Sequence, residues 1–384
     1  MVCGGAPLAA QPPAIQKVEA QEKRLLVNGR VFLPLGIYHA SNYHKGLVAS
    51  GEAGFNTAQV FGKDPEELRK DLDEAYANGM YGTVALNENI CLDLKRLEAF
   101  VRGNKDHPGL LAWMLQDEPN LRVRKPESNN EEVYRTPPEQ LKPAYDLIRQ
   151  IDPNHPVWLN LAHGYLADYQ AYAPVCDILS ADIYPVPSAP LTSVAAYADN
   201  LRKAVGPQKP IVLVLQMAPS EAKQARVPTM EEVRCMTYLA LTHDVCGVMY
   251  YAYQSVHFHV ERDAPDYWSQ WADLLAELRT LAPLLKGKPI AEPVEVTVTK
   301  GFAGKRAWNY TALHTTLLKT SRGYLLLAVN GFPEAIEARL KLPVALPEKQ
   351  RATVRFASRS VLLQQGALSD RFAPYAAHVY EIRP

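Results

Sequence analysis

The sequence predicts an α/β fold: a (β/α)8 TIM barrel followed by a small C-terminal antiparallel β-sandwich domain. Three observations carry that expectation. Eight short apolar runs alternate with helix-period stretches between residues 24 and 285, the repeat of such a barrel. No Gly-rich phosphate turn follows the first run, as a doubly wound sheet would show. Past Gly287 the helix period stops and short, mostly alternating runs take over, as in a sandwich.

In order, the barrel strands are read at 31–39 (after the turn Asn28-Gly29), 55–61, 81–87, 110–116, 156–163, 178–185, 210–217 and 247–254. Helices are read at 65–78, 93–102, 137–151, 190–205, 229–242 and 266–285. Asp64 before Pro65, with Glu66 and Glu67 behind it, supplies a cap residue, a first-position proline and acids in the first turn. Strand-like runs at 294–299, 323–329, 336–342, 351–356 and 378–382 make up the second domain. The expected division is a tail or signal-peptide remnant at 1–22, a catalytic barrel at 23–288 and a β-sandwich domain at 289–384.

Composition narrows the function classes. With 41 basic and 41 acidic residues, the chain lacks the basic excess that nucleic-acid or membrane-surface partners leave. No apolar run is long enough to span a bilayer. Cys3, Cys91, Cys176, Cys235 and Cys246 show neither metal-ligand spacing nor a dense disulfide pattern. His257 and His259 have no third ligand at a recognisable spacing, so a loop is the better reading than a metal site. No cofactor is expected. The Leu8-Ala9-Ala10-Gln11 stretch resembles the small-residue end of a secretory signal but lacks a basic start. Export is the expectation from it, with a cytoplasmic location the alternative.

Working residues of a barrel sit where strands end. Here those ends carry His39, Asn87 with Glu88, Asp117 with Glu118, His163, Asp182 with Tyr184, Gln216, and Tyr251 with Gln254. So many polar groups on one rim suit a polyhydroxylated ligand. Leu110 to Leu115 is an apolar run that stops in Gln116-Asp117-Glu118-Pro119. Two adjacent acids at a buried strand end push one pKa upward, which supplies an acid and a base at neutral pH. No Ser-x-Gly elbow offers a serine nucleophile. Carboxylate chemistry on an oligosaccharide or glycoconjugate, hence glycosidic bond cleavage, is the reading.

On Asn28-Gly29, 113–119, Asp182-Ile183-Tyr184-Pro185, 228–253 and 372–380, the chain resembles the clan A barrel glycoside hydrolases over residues 24–384. That clan ends strand four in Asn-Glu and strand seven in a nucleophilic Glu; here Asp117 and Gln216 stand at those places. The Asp117-Glu118-Pro119 tripeptide is similar to the substrate-assisted N-acetylhexosaminidases of glycoside hydrolase families 20 and 123, family 123 above all. That resemblance implies a retaining β-N-acetylhexosaminidase, with N-acetylgalactosamine as the preferred sugar. It makes Asp117 the acetamido polariser and Glu118 the acid/base, with His39, Asn87, His163, Asp182, Tyr184, Gln216 and Tyr251 as substrate-binding residues. Tyr184 or Gln216 would bind the acetamido carbonyl. The alternatives are an ordinary clan A β-glycosidase, such as a β-galactosidase, with Asp182 or Glu88 as a non-standard nucleophile, and a silent carbohydrate-binding barrel.

Overall fold

The computed structural model describes residues 10–124, 131–220 and 225–383. Three short antiparallel strands come first, β1 (Val18–Gln21), β2 (Arg24–Val27) and β3 (Arg30–Phe32). The barrel strands are β4 (Leu35–Ile37), β5 (Thr57–Val60), β6 (Tyr81–Ala85), β7 (Leu110–Met114), β10 (Val157–Leu161), β11 (Ile178–Ile183), β12 (Ile211–Gln216) and β13 (Val248–Tyr251), with the hairpin β8 (Arg122–Arg124) and β9 (Glu132–Tyr134) after β7. All eight barrel pairings are parallel, and β13 returns to β4 with Val248 opposite Leu35 and Tyr250 opposite Ile37. The closed eight-stranded barrel of the sequence reading is therefore present.

The strands form where the sequence puts unbroken apolar runs: every residue of Leu110–Met114 and Ile211–Gln216 is buried, as strands covered on both faces require. The expected first strand divides in two. Pro34 between β3 and β4 brings no N–H to a ladder, so the antiparallel and parallel pieces meet there. The cap read at Asp64 is formed, its carboxylate accepting from Glu66 N (2.9 Å) and Glu67 N (2.8 Å). The helix Met230–Thr242 opens with a full capping box between Thr229 and Glu232. The expected last helix is two, Pro265–Ser269 and Trp271–Leu281.

Residues 1–9 of the expected tail lie outside the described residues. The rest of it is built into the fold. Ile15 N bonds to Pro108 O, Val18 N to Asn154 O and Glu22 N to Gln208 O, each at 2.8–3.1 Å. Those acceptors lie in the turns just before β7, β10 and β12, so the N-terminal segment crosses the N-terminal ends of the strands. Ile15, Val18, Leu25 and Val27 join Leu111, Trp158, Val212 and Met249 in one apolar cluster. Burying those side chains offsets the entropy of ordering a segment that composition alone would leave loose.

The chain separates into two compact units, residues 1–184, 197–219 and 245–275 in one, and 185–196, 220–244 and 276–384 in the other. All barrel strands belong to the first. The second carries a nine-stranded antiparallel sheet, β14 (Lys288–Pro289), β15 (Glu295–Lys300), β16 (Leu313–Thr320), β17 (Gly323–Asn330), β18 (Ile336–Lys341), β19 (Lys349–Val354), β20 (Arg359–Gln364), β21 (Ala367–Phe372) and β22 (Ala377–Ile382). Its order is β14-β16-β17-β22-β19-β20-β21-β18-β15, around a core that includes Leu326, Leu340, Leu363, Phe372 and Tyr380. Among the described residues no helix is long and apolar enough to cross a membrane.

Candidate active site

The site is built where β7 stops. After Met114 the chain runs Leu115-Gln116-Asp117-Glu118-Pro119, and Glu118 takes a left-handed backbone conformation (φ 47°). A non-glycine residue is costly in that region, so neighbours must hold it. They do: Glu118 N donates to Asn160 O (3.1 Å), and Leu121 N to Glu118 O (3.2 Å). The hairpin after β7 returns over this corner, with Thr136 N donating to Pro119 O (3.0 Å) and the Arg135 guanidinium donating to Asp117 O. In the amide orientation that satisfies both ends, Gln116 accepts from Arg135 Nε (2.9 Å) and donates to Thr136 Oγ1 (2.7 Å).

One amide on the next strand gathers the acids. Trp158 Nε1 donates to Ser180 Oγ (2.7 Å), and Ser180 Oγ donates to Asn160 Oδ1 (2.7 Å). That leaves Asn160 Nδ2 to donate to Asp117 Oδ1 (3.0 Å) and to Asp182 Oδ1 (2.7 Å). The orientation of the amide is thus fixed from behind, through a buried relay across β10 and β11. The Glu118 charge also acts on Asp182 and opposes its ionisation. Three carboxyls from β7 and β11 therefore face one another.

Their electrostatics follow from crowding out of water. Burial pushes the Asp117 carboxyl up to about 6; Asn160 opposes this, the Glu118 charge adds to it and Arg135 opposes it. Asp182 is pushed well above the ordinary carboxylate range, first by burial and then by the charges of Asp117 and Glu118. Like charges gathered in this way oppose one another's ionisation.

Two tyrosines complete the wall. The hydroxyls of Tyr38 and Tyr184 are enclosed and have no hydrogen-bond partner among the described residues. Burial, then the surrounding acids, pushes both phenols well up, so each is a neutral donor held beside carboxylates. Tyr184 stacks on Tyr251 (5.3 Å between centroids, 26°), and Tyr251 meets His39 edge-on (5.3 Å, 73°). His39, left-handed like Glu118 (φ 61°), is anchored by Nδ1 at 3.1 Å from Gln254 O. Burial lowers its pKa against the pull of that carbonyl.

Beside Asp117 a cavity of about 280 Å³ opens, lined by His39, Gln59, Phe61, Asn87, Glu88, Gln116 and Arg135 among others. A larger concavity, about 680 Å³, lies on the C-terminal sheet around Arg339, Lys349 and Gln364. It holds no comparable cluster of acids, so size is a poor guide to the chemistry here.

Of the expected residues, His39, Asp117, Glu118, Asp182, Tyr184 and Tyr251 are brought together. Asn87 and Glu88 line the cavity but are exposed; Asn87 caps a short helix by accepting from Ile90 N (3.1 Å). Gln216 ends the seventh barrel strand as read, is 1% exposed and donates to Ala218 O (3.2 Å). His163 is exposed on the loop after β10. Sequence reasoning missed Tyr38, Gln59, Asn160 and Arg135. Asn160 had a usable signal, a lone amide inside the apolar run of β10; Arg135, in a loop after a hairpin, had none. Among the described residues no group of three or more His, Cys, Asp or Glu is placed to hold a metal ion.

The family model described as Beta-galactosidase, glycoside hydrolase family 42, matches residues 137–269, which takes in β10 to β13 but not Asp117 or Glu118. Among solved structures, a catalytic mutant of a family 42 β-galactosidase from G. stearothermophilus is similar with a TM-score of 0.61 at 10% identity, covering 92% of this chain and 98% of that one. A family 30 xylanase from Clostridium acetobutylicum gives 0.54 at 8% identity, covering 97% and 98%. The β-galactosidase from the psychrophilic Marinomonas ef1 gives 0.52 at 13% identity over 66% of this chain, which spans 60% of that enzyme's length. These likenesses show the fold alone, a (β/α)8 barrel. A search of the curated proteins returned no significant match.

Proposed function

We propose that the chain is a retaining β-glycosidase, with β-galactosides as the first substrate class, in which Glu118 is the acid/base and Asp182 the nucleophile. The observation that carries it is the Asn160 amide, which holds Asp182 Oδ1 (2.7 Å) and Asp117 Oδ1 (3.0 Å) together next to Glu118. A retaining enzyme needs such a gathered set, one carboxyl as acid/base and a second as nucleophile. With a sugar seated between them, Glu118 acts as the proton donor and Asp182 as the carboxylate nucleophile. Glu118 then delivers its proton to the glycosidic oxygen as the C1–O bond breaks, and Asp182 attacks C1 to form a glycosyl ester. Glu118, now a base, takes a proton from water; the water oxygen attacks C1 and Asp182 leaves as a carboxylate. Glu88, the other candidate nucleophile, is exposed at a helix start, where water screens it.

Gln216 supports the same reading: at the place where clan A enzymes carry Glu it offers only a neutral amide, with its Nε2 bonded to Ala218 O, a far weaker nucleophile than a carboxylate and one that cannot serve as an anionic leaving group. The family 42 match over β10 to β13 supports β-galactosides as the first class to try.

A second reading is favoured by one observation. The Tyr184 hydroxyl is buried and unpartnered with Asp117 beside it, a donor and an acceptor suited to the C=O and N–H of a 2-acetamido group. On that reading the substrate's own acetamido oxygen attacks C1, and Asp117 holds its N–H. Matched nitrophenyl β-glycosides of galactose, glucose, N-acetylgalactosamine and N-acetylglucosamine separate the two. Turnover of plain galactoside is the expected result. Turnover confined to 2-acetamido sugars would replace it with the second reading, and silence on all four would contradict both.

A further inference from the structure

We infer that the loop 163–165, after β10, is a shelf on which the sugar ring of the leaving group lies, so that the enzyme takes glycans rather than simple alkyl glycosides. This rests on the β-glycosidase reading above and adds the leaving-group side of its site.

Tyr165 is 65% exposed, a large bare ring on the rim of the barrel. The exposed His163 ring stands 5.7 Å from it, tilted by 51°. An aromatic face carrying a polar tip is the surface that the C–H face and hydroxyls of a sugar meet. The backbone beneath is fastened far more firmly than a solvent loop requires. Ala162 N donates to Asn120 Oδ1 (2.8 Å), and Asn120 Nδ2 donates back to Ala162 O (2.7 Å). Tyr169 Oη donates to His163 O (2.5 Å), and Asn200 Nδ2 to Gly164 O (2.9 Å). Gly164 lies so close to the Tyr197 ring that a Cβ there would meet it at 2.5 Å. His163 is held left-handed (φ 60°), the third rim residue so placed, with His39 and Glu118.

Position completes the argument. Asn160, whose amide holds both Asp117 and Asp182, precedes His163 by three residues, so the shelf begins within about 10 Å of Asn160 along the chain. The cavity beside Asp117 is lined from the ends of β4 to β7, whereas the shelf follows β10, on the other side of Glu118. A bond cleaved at Glu118 thus has one sugar in the cavity and the next on the shelf.

The test compares lactose, whose leaving group is a sugar ring, with β-galactosyl fluoride, whose leaving group has none. Tyr165→Ala should raise KM for lactose about 3–10-fold more than KM for the fluoride, and Tyr165→Phe, which keeps the ring face, should restore it. Equal effects on both substrates, or none, would overturn the shelf. If the wild-type enzyme turns over neither, the β-galactosidase reading fails by itself, and saturation-transfer NMR with lactose, cellobiose and N,N′-diacetylchitobiose tests the shelf directly. Transfer to a reducing-end ring that disappears in Tyr165→Ala would support it; transfer that persists, or absence of binding by all three, would overturn it.

Discussion

At the scale of single residues, the account turns on which carboxyl holds a proton. Glu118→Gln removes the group that protonates the leaving oxygen while keeping its volume. Activity toward lactose, whose leaving group needs a proton, should fall by about 10²–10⁴-fold, and far less toward dinitrophenyl galactoside, whose leaving group departs without one. Steady-state rates on the two substrates check this; equal losses would remove Glu118 from the acid role. Asp117 carries a separate, thermodynamic expectation. Its folded pKa of about 6 lies above the ordinary 3.8 because burial disfavours the charge. Its contribution to stability is therefore full below pH 3.8 and is lost as pH rises through 6, the folded state resisting a deprotonation the unfolded chain accepts. Asp117→Asn removes that penalty while its oxygen can still accept from Asn160. The variant should match wild type near pH 3.5 and gain up to about 3 kcal/mol at pH 8, read as denaturation midpoints at the two pH values. A gain at low pH instead would contradict the burial argument.

At the scale of elements, the hairpin β8–β9 is what delivers Arg135 to Asp117, and its anchor is one acid on another element. Asp168, in the helix Leu166–Tyr172, is 2% exposed and accepts from Asn120 Nδ2 (3.0 Å), Arg122 Nη2 (3.1 Å) and Tyr134 Oη (2.8 Å). The Arg122 guanidinium also lies 3.8 Å from the Tyr134 ring centroid. Asp168→Ala leaves those donors without their acceptor, at a cost of about 2–4 kcal/mol. Denaturant titration should show that loss, together with a raised KM as the hairpin loosens over the cavity. Unchanged KM would mean that the hairpin plays no part in the site. The same elements mark the limit of what the chain's pattern discloses. Apolar runs such as Leu110–Met114 and caps such as Asp64 are local signals, and they placed strands and helices within a few residues. Neither the helix Leu166–Tyr172 nor the hairpin is legible in the pattern, because their order comes from contacts between them, Asp168 with Arg122 and Tyr134, rather than from periodicity.

Across the whole molecule, the barrel was legible because all eight strands must be apolar on both faces, a requirement written in composition. The strand-end rule then located Asp117, Glu118 and Asp182 on one rim before any coordinate was known. Roles were harder to read, since a role depends on neighbours from other strands. The pattern makes Asp182 a substrate contact or an alternative nucleophile; the Asn160 amide it shares with Asp117 is a property of packing β7, β10 and β11 side by side. The N-terminal segment makes the same point. Read as a tail for its Ala, Pro and Gln content, it instead ties Ile15 and Val18 across the N-terminal ends of the strands. Two apolar residues three apart, one before β1 and one opening it, carry no periodicity from which docking could be foreseen.

The central claim is that Asp182, not Gln216 or the substrate, attacks the anomeric carbon. Incubation with 2-deoxy-2-fluoro-β-galactosyl fluoride, followed by proteolysis and mass spectrometry, tests it directly, because the 2-fluoro group slows hydrolysis of the glycosyl ester. The account predicts one fluorogalactosyl adduct, on the peptide bearing Asp182, that is absent in Asp182→Asn. An adduct on a different carboxylate, or none in an enzyme that hydrolyses galactosides, would contradict it.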